Sequence, residues 1–258
     1  MPALMYHDIV PAGAEDSSGF PGRGAALYKV TPELFAAHLA ALRDFLAART
    51  VPPLMLTFDD GGVSAIRTAD ILEQYGFRGH FFATVNYIGT AGFVDARDIR
   101  ELRRQGHTVG SHSCSHPLRM GHRSWPQLVD EWTRSRTTLE GIVGAEVRTA
   151  SVPGGDFTPQ VAEAAARAGF TSLFTSEPTR EARHAFGLTL IGRYTIRRRT
   201  SAGTVARLAA GAWGPRTRQA VIWGAKKISK RVGGKQYLRV RCLLLGQGDD
   251  ERWDDESG

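Results

Sequence analysis

Cysteine is almost missing from this chain: Cys114 and Cys242 are the only two in 258 residues. Two distant thiols make no disulfide framework, which excludes the small stapled scaffolds and favours a reducing compartment. At this length a globule buries roughly 70–75% of its unfolded surface and needs no staples. There is no apolar run of about 18 residues, which excludes a membrane-spanning helix. A basic start ahead of an apolar stretch is lacking too, because strand-like sequence begins at Ala3; no secretory leader and a cytoplasmic location are expected. Internal repeats and low-complexity tracts are absent. Acid is missing from residues 214–246, which hold nine lysines and arginines between Arg216 and Arg241. Residues 249–256 reverse the sign with six acids, from Asp249 to Glu256. The basic stretch suits an anionic lipid surface or polymer. Its few aromatics and the lack of a binding motif argue against nucleic acid. The acidic end reads as a disordered tail.

What is present is an alternation of short apolar runs with amphipathic ones. Strands are read at 3–6, 54–58, 80–85, 107–112, 147–152, 170–176 and 188–196. Helices are read from Thr31 to about Ala48, then over 64–75, 95–105, 124–142 and 158–168, with Gly76, Gly106 and Gly169 as stops. Residues 11–27, rich in glycine, proline and serine, read as a loop. Such alternation predicts parallel βαβ units. About seven strands favour a closed or nearly closed barrel over an open doubly wound sheet, and either puts the active site at the carboxyl ends of the strands. Residues 1–200 are expected to form the barrel, 201–246 a basic helical extension and 247–258 the acidic tail.

The strand ends gather titratable groups: His7 and Asp8, Asp59 and Asp60, His112 and His116, Pro153 to Asp156, and Arg193. Two imidazoles four residues apart after a strand converge on one ion if the segment coils by a turn. Adjacent carboxylates after a buried strand repel each other, and a cation or a proton relieves that. Two histidines and one aspartate suit Zn²⁺ or another divalent ion with a position left open for water. The second carboxylate then suits a general base. Cys114 falls on the far side of such a turn and reads as a small buried residue.

Together these residues resemble the polysaccharide deacetylase family, also called NodB-homology or carbohydrate esterase family 4. Its T-F-D-D motif is matched by Thr57-Phe58-Asp59-Asp60, and its H-[ST]-x-x-H motif by His112-Ser113-Cys114-Ser115-His116. The likeness spans roughly residues 3–196. It implies a distorted (β/α)-barrel, a divalent metal held by Asp60, His112 and His116, Asp59 as base, and hydrolysis of an N-acetyl group on an amino sugar. The third motif, R-x-P-x-G, is altered to Ser151-Val152-Pro153-Gly154-Gly155, without its arginine. The L-x-H motif that carries the acid has only Leu190-Ile191-Gly192 as its match. In a closed barrel the first strand lies beside the last, so His7 is expected as the general acid, as in permuted members of the family. Asp8 or another carboxylate would keep His7 protonated, and Arg193 would replace the missing arginine. Pro153, Gly154, Arg193 and Asp8 are also expected to contact substrate.

The substrate class that follows is an N-acetylated glycan or a lipid-linked sugar, with peripheral contact to an anionic membrane through 214–241. Other readings stay open from the residues: a different C–N hydrolase on the same scaffold, such as a deformylase or cyclic amide hydrolase, or a metal- or sugar-binding relic. Two histidines and a carboxylate also suit Fe(II) in an oxygenase, but the helical content opposes that fold.

Overall fold

The protein is described from a computed structural model at residues 2–47 and 54–224. The elements in chain order are β1 (Ala3–Tyr6), α1 (Arg23–Ala26), α2 (Pro32–Ala47), β2 (Met55–Phe58), α3 (Ala65–Gln74), β3 (Gly79–Ala83), α4 (Ala96–Arg104) and β4 (Thr108–Ser111). They continue with α5 (Trp125–Val143), β5 (Thr149–Ser151), α6 (Pro159–Arg167), β6 (Ser172–Phe174), β7 (Arg183–Ala185), β8 (Leu188–Ile191), β9 (Tyr194–Thr195) and α7 (Ala202–Ala210). Helix starts follow local chemistry. Asp95 caps α4 in a reciprocal box with Asp98, and Ser124 does the same for α5 with Gln127. The Thr158 hydroxyl accepts the Val161 N–H, with Pro159 at the first position of α6.

The strands form one sheet in the order β7-β8-β6-β5-β4-β3-β2-β1-β9. Every pairing is parallel except β7 with β8. The sheet curls into a distorted barrel. Two apolar layers result from the alternation of side chains along each strand. One lies between sheet and helices, where Tyr6, Phe58 and Phe81 stack at paired register positions beneath Phe35 of α2. The other joins Ala3, Phe82, Phe174 and Ile191, residues of strands far apart in the sheet order, and so fills the barrel's interior.

The segment 188–196, read as one strand, is two. β8 pairs with β6 and, after only Gly192 and Arg193, β9 pairs with β1 at the opposite edge. This crossing carries the chain from one side of the curled sheet to the other and leaves Arg193 at its mouth. Hydrogen bonds from Arg193 N–H to the Glu177 carbonyl (2.8 Å) and from Ile196 N–H to the Met5 carbonyl (2.9 Å) fix the two sides of the step. β7 was not expected. The 11–27 loop contains α1.

Helix α7, the start of the expected extension, packs on α2 and buries Val205, Leu208 and Ala209 in the main core. A further helical stretch covers 213–224. The Gln219 side chain bonds both backbone groups of Thr195 on β9 at 3.0 Å, and Arg216 donates to the Tyr194 hydroxyl at 2.9 Å. That covers part of a free sheet edge. Residues 225–258, which hold most of the basic stretch and the acidic tail, lie outside the described residues. Among the described residues no helix is long and apolar enough to cross a membrane.

Candidate active site

β2 delivers Asp59 and Asp60 to the mouth of the barrel. Asp59 is gripped by Arg193, which is fully buried: the guanidinium donates to Oδ1 at 2.6 Å and to Oδ2 at 2.8 Å. Its remaining N–H groups reach Thr57 Oγ1, Ser151 Oγ and the Thr175 carbonyl, so every face of the arginine is met. Ser151 accepts from Arg193 at 2.7 Å and donates to Asp59 at 3.2 Å. The Phe82 and Phe174 rings each lie 5.8 Å from the guanidinium carbon. Burial pushes the Asp59 carboxyl up, but Arg193 and then His112 outweigh it and hold it below its ordinary value.

Asp60 follows in a left-handed conformation, φ 78°. Gly61 after it, φ 83°, has Ala83 Cα 3.0 Å from where a side chain would begin, so glycine is required there. β4 supplies His112, whose Nδ1–H donates to the Ser151 carbonyl at 3.0 Å. That bond leaves Nε2 to face the carboxylates, 3.3 Å from Asp60 Oδ1 and 3.9 Å from Asp59 Oδ2. His116 Nε2 lies 3.4 Å from the same Asp60 oxygen. The two imidazoles are brought together not by a helical coil but by left-handed residues at Ser113 (φ 65°) and His116 (φ 55°). Such conformations cost on the order of 1 kcal/mol each. Glu131, on α5, holds the turn: its carboxylate accepts from the Cys114 and Ser115 N–H groups at 2.9 and 3.0 Å and from the Ser115 hydroxyl at 2.5 Å. The sequence reading missed Glu131.

Asp60, His112 and His116 offer donor atoms that all lie within 4.8 Å of one another. Asp60 Oδ1 is buried and, despite its two imidazole neighbours, makes no well-formed hydrogen bond. That is the spacing of ligands about an ion rather than of donor to acceptor, and two nitrogens with one carboxylate oxygen suit a divalent metal. Burial acts against the Asp60 anion, yet His7 and the two imidazoles outweigh it and hold the carboxyl well down. His112 is pulled up: burial opposes its charge, but Asp59 and Asp60 win. Burial pushes the Cys114 thiol up to about 12, so it remains a buried thiol rather than a ligand.

His7, at the end of β1, lies within electrostatic reach of both carboxylates, with its ring 4.8 Å from that of Tyr28. Its Nδ1 is buried without a hydrogen-bond partner. Asp8, expected to keep His7 protonated, is held by two serine hydroxyls. Its carboxylate, 2% exposed, accepts from the Ser18 and Ser64 hydroxyls at 2.6 and 2.8 Å. Of the four positions expected to touch substrate, Asp8, Pro153 and Arg193 are buried and Gly154 is exposed. His107, read as structural, accepts the Gly79 N–H at 3.0 Å far from this rim.

A family model described as polysaccharide deacetylase matches residues 47–173. YxkH of Bacillus subtilis is 24% identical over 196 residues, 69% of this chain and 65% of its own length. The peptidoglycan-N-acetylglucosamine deacetylase PgdA of Listeria monocytogenes is 27% identical over 118 residues, 45% of this chain and 24% of its own length. The chain thus spans less than two thirds of these curated relatives. Among solved structures, the Streptococcus pyogenes deacetylase PplD in complex with acetate superposes with a TM-score of 0.66 at 22% identity, over 81% of this chain and 97% of that one. IcaB from Ammonifex degensii does so with a TM-score of 0.63 at 22% identity, over 81% and 96%. These likenesses show a shared fold.

Proposed function

We propose that this chain, which belongs to the polysaccharide deacetylase family, is a metal-dependent hydrolase that removes N-acetyl groups from amino sugars of a polysaccharide, an oligosaccharide or a lipid-linked glycan precursor. The observation that carries this reading is one mouth holding a two-histidine, one-aspartate donor set beside a carboxylate kept ionised by Arg193.

Asp60, His112 and His116 would hold the ion, with Zn²⁺ as the best match to nitrogen and carboxylate ligands. A bound ion of this kind supplies an acidified water and positive charge for the developing oxyanion. Asp59, ionised at neutral pH, accepts the proton of the attacking water. Arg193 and Ser151 fix its two oxygens so that the accepting lone pair does not wander. His7, across the mouth on β1, gives a proton to the departing amine nitrogen, which cannot leave as an anion. Gly154, exposed and without a side chain, lets the sugar approach the β5 end closely. For the lipid-linked substrate, the support is an exposed apolar set on helix 213–224, Trp213 at 82% and Val221 at 67% exposed, continuous with the basic stretch.

The test is acetate release from N-acetylglucosamine oligomers, run with metal analysis of the same preparations. Wild type should bind about one zinc per chain and release acetate; a chelator and His116→Ala should abolish both. His7→Asn should retain zinc and lower kcat by about 10²–10⁴. Zinc binding without turnover on any N-acetylated sugar would overturn the reading, and undiminished turnover in His7→Asn would remove that residue from its role.

A further inference from the structure

The loop before α2 is built around one buried ammonium. Lys29 is 4% exposed, and its Nζ donates to three backbone carbonyls: Glu15 at 2.5 Å, Ser18 at 2.6 Å and Phe20 at 2.7 Å. A lysine ammonium has three donors and no acceptor, so these acceptors match it completely. The loop is pinned from other sides as well. Ser18 donates to Asp8 at 2.6 Å and accepts from the Ser64 N–H at 2.8 Å, and the Gly19 N–H donates to the Gly92 carbonyl at 2.7 Å. Gly62 and Gly19 leave room for that carboxylate, since a Cβ at either would fall 2.0 or 2.2 Å from an Asp8 oxygen.

The result is a placement of aromatic rings. Phe20 is half-buried, with its ring 4.7 Å from His116 and 4.9 Å from Tyr87. Tyr28, at the other end of the loop, lies 4.8 Å from His7. One excursion of the chain therefore flanks His7 and His116, two of the three histidines assigned to the reaction. The Arg197 guanidinium lies over the Tyr28 ring at 5.5 Å, whereas Phe20, 5.1 Å from Phe93, has no polar group and offers an apolar ring beside His116. The apolar C–H face of a pyranose suits such a ring.

We propose that Lys29 is a positioning residue which folds residues 15–20 into the wall of the substrate cleft, and that Phe20 is the ring on which the amino sugar rests. This rests on the deacetylase reading. Without the ammonium, three carbonyls converge on nothing, and the wall loosens while the metal ligands and Asp59 keep their own supports.

The experiment uses the full zinc-loaded chain with N-acetylglucosamine oligomers, comparing wild type, Lys29→Met and Phe20→Leu. Losing an aromatic contact at the sugar should raise KM about tenfold in both variants, with kcat within about twofold and zinc content unchanged. Arg23, exposed within the loop, provides a readout free of turnover: trypsin should cut there faster in Lys29→Met and not in Phe20→Leu. If Lys29→Met fails to fold, Phe20→Leu carries the KM comparison, because it leaves every hydrogen bond of the loop in place. A KM indifferent to Phe20, or kcat falling together with kcat/KM, overturns the sugar-resting role. Unchanged cutting at Arg23 overturns the role of Lys29. A wild type that neither binds nor deacetylates any amino sugar overturns the function itself, which is a different result from a working enzyme that ignores Phe20.

Discussion

Arg193 and Asp59 lie 134 residues apart in the chain and form a fully enclosed, two-pronged ion pair. Removing one member of such a pair leaves a buried charge without compensation, which costs roughly 3–5 kcal/mol. Arg193→Gln is therefore expected to lower the melting temperature markedly. It should also move the acid limb of the pH–rate profile upward. Arg193 is the strongest of the attractions that hold Asp59 below its ordinary value; once it is gone, burial pushes the carboxyl up, and the base is protonated at pH values where wild type still works. The sign for stability agrees: a carboxyl with a depressed folded value stabilises above its unfolded value and loses that contribution as pH falls through the folded one. Turnover near neutral pH should drop on the order of 10²-fold, with zinc retained. An acid limb that stays in place would show that Asp59 is not the base or that Arg193 does not govern it. At this scale, what was legible in the sequence was what lay close together in it. Asp59-Asp60 and His112 with His116 announce themselves by spacing. Glu131 reads as one more charge on an amphipathic helix and Lys29 as a loop residue; only the fold turns the first under the His112–His116 segment and the second inside.

The elements were legible in proportion to their apolar length. β1 to β6 and α2 to α6 fall within a few residues of the expected spans, because each carries a run or a period that burial demands. β7 has three residues, none of them buried, and no pattern to read. The break between β8 and β9 was hidden because 188–196 is apolar enough to pass as one strand, and the crossing between the two sides of the curled sheet splits it for a tertiary reason. One element also carries a pH signature. His107, just before β4, ties that strand to β3 through the Gly79 N–H, and burial pulls its imidazole down to about 4. Its folded value lies below the unfolded one near 6.5, so the unfolded chain binds the extra proton between those values. Stability must then fall as the solution is acidified from about pH 6.5 to 4, by up to about 2–3 kcal/mol from this residue. Urea unfolding of wild type and His107→Asn across that range gives the difference. The wild-type slope should be the steeper of the two, and parallel slopes would mean that His107 is not held neutral.

The described residues form a curled, barrel-like sheet with the candidate site at one mouth, and the chain carries an uneven charge, +7 in sum. Its polar anchors, Gln219 and Arg216, tie helix 213–224 to β9 and leave Trp213, Val221 and Ile222 in solvent. Trp213 is 82% exposed, and the sequence that follows helix 213–224 adds Lys226, Lys227, Lys230 and Arg231. Apolar side chains next to basic ones are what an anionic lipid surface binds, with about 1 kcal/mol per basic residue near the surface and about 1.5–3 kcal/mol per large apolar side chain inserted. Ending the chain before 213 would be a poor test, because it also uncovers the edge of β9. The double variant Trp213→Ser/Val221→Ser keeps Gln219 and Arg216 and changes only the exposed set. In flotation with vesicles containing phosphatidylserine, wild type should rise with the lipid, less so at high salt. The double variant should partition at least about tenfold more weakly, and neutral vesicles should hold neither protein well. Equal flotation of the two proteins would assign any membrane affinity to charge alone. No flotation of wild type would leave helix 213–224 as a cover for the sheet edge and take away the reason to place the substrate on a lipid.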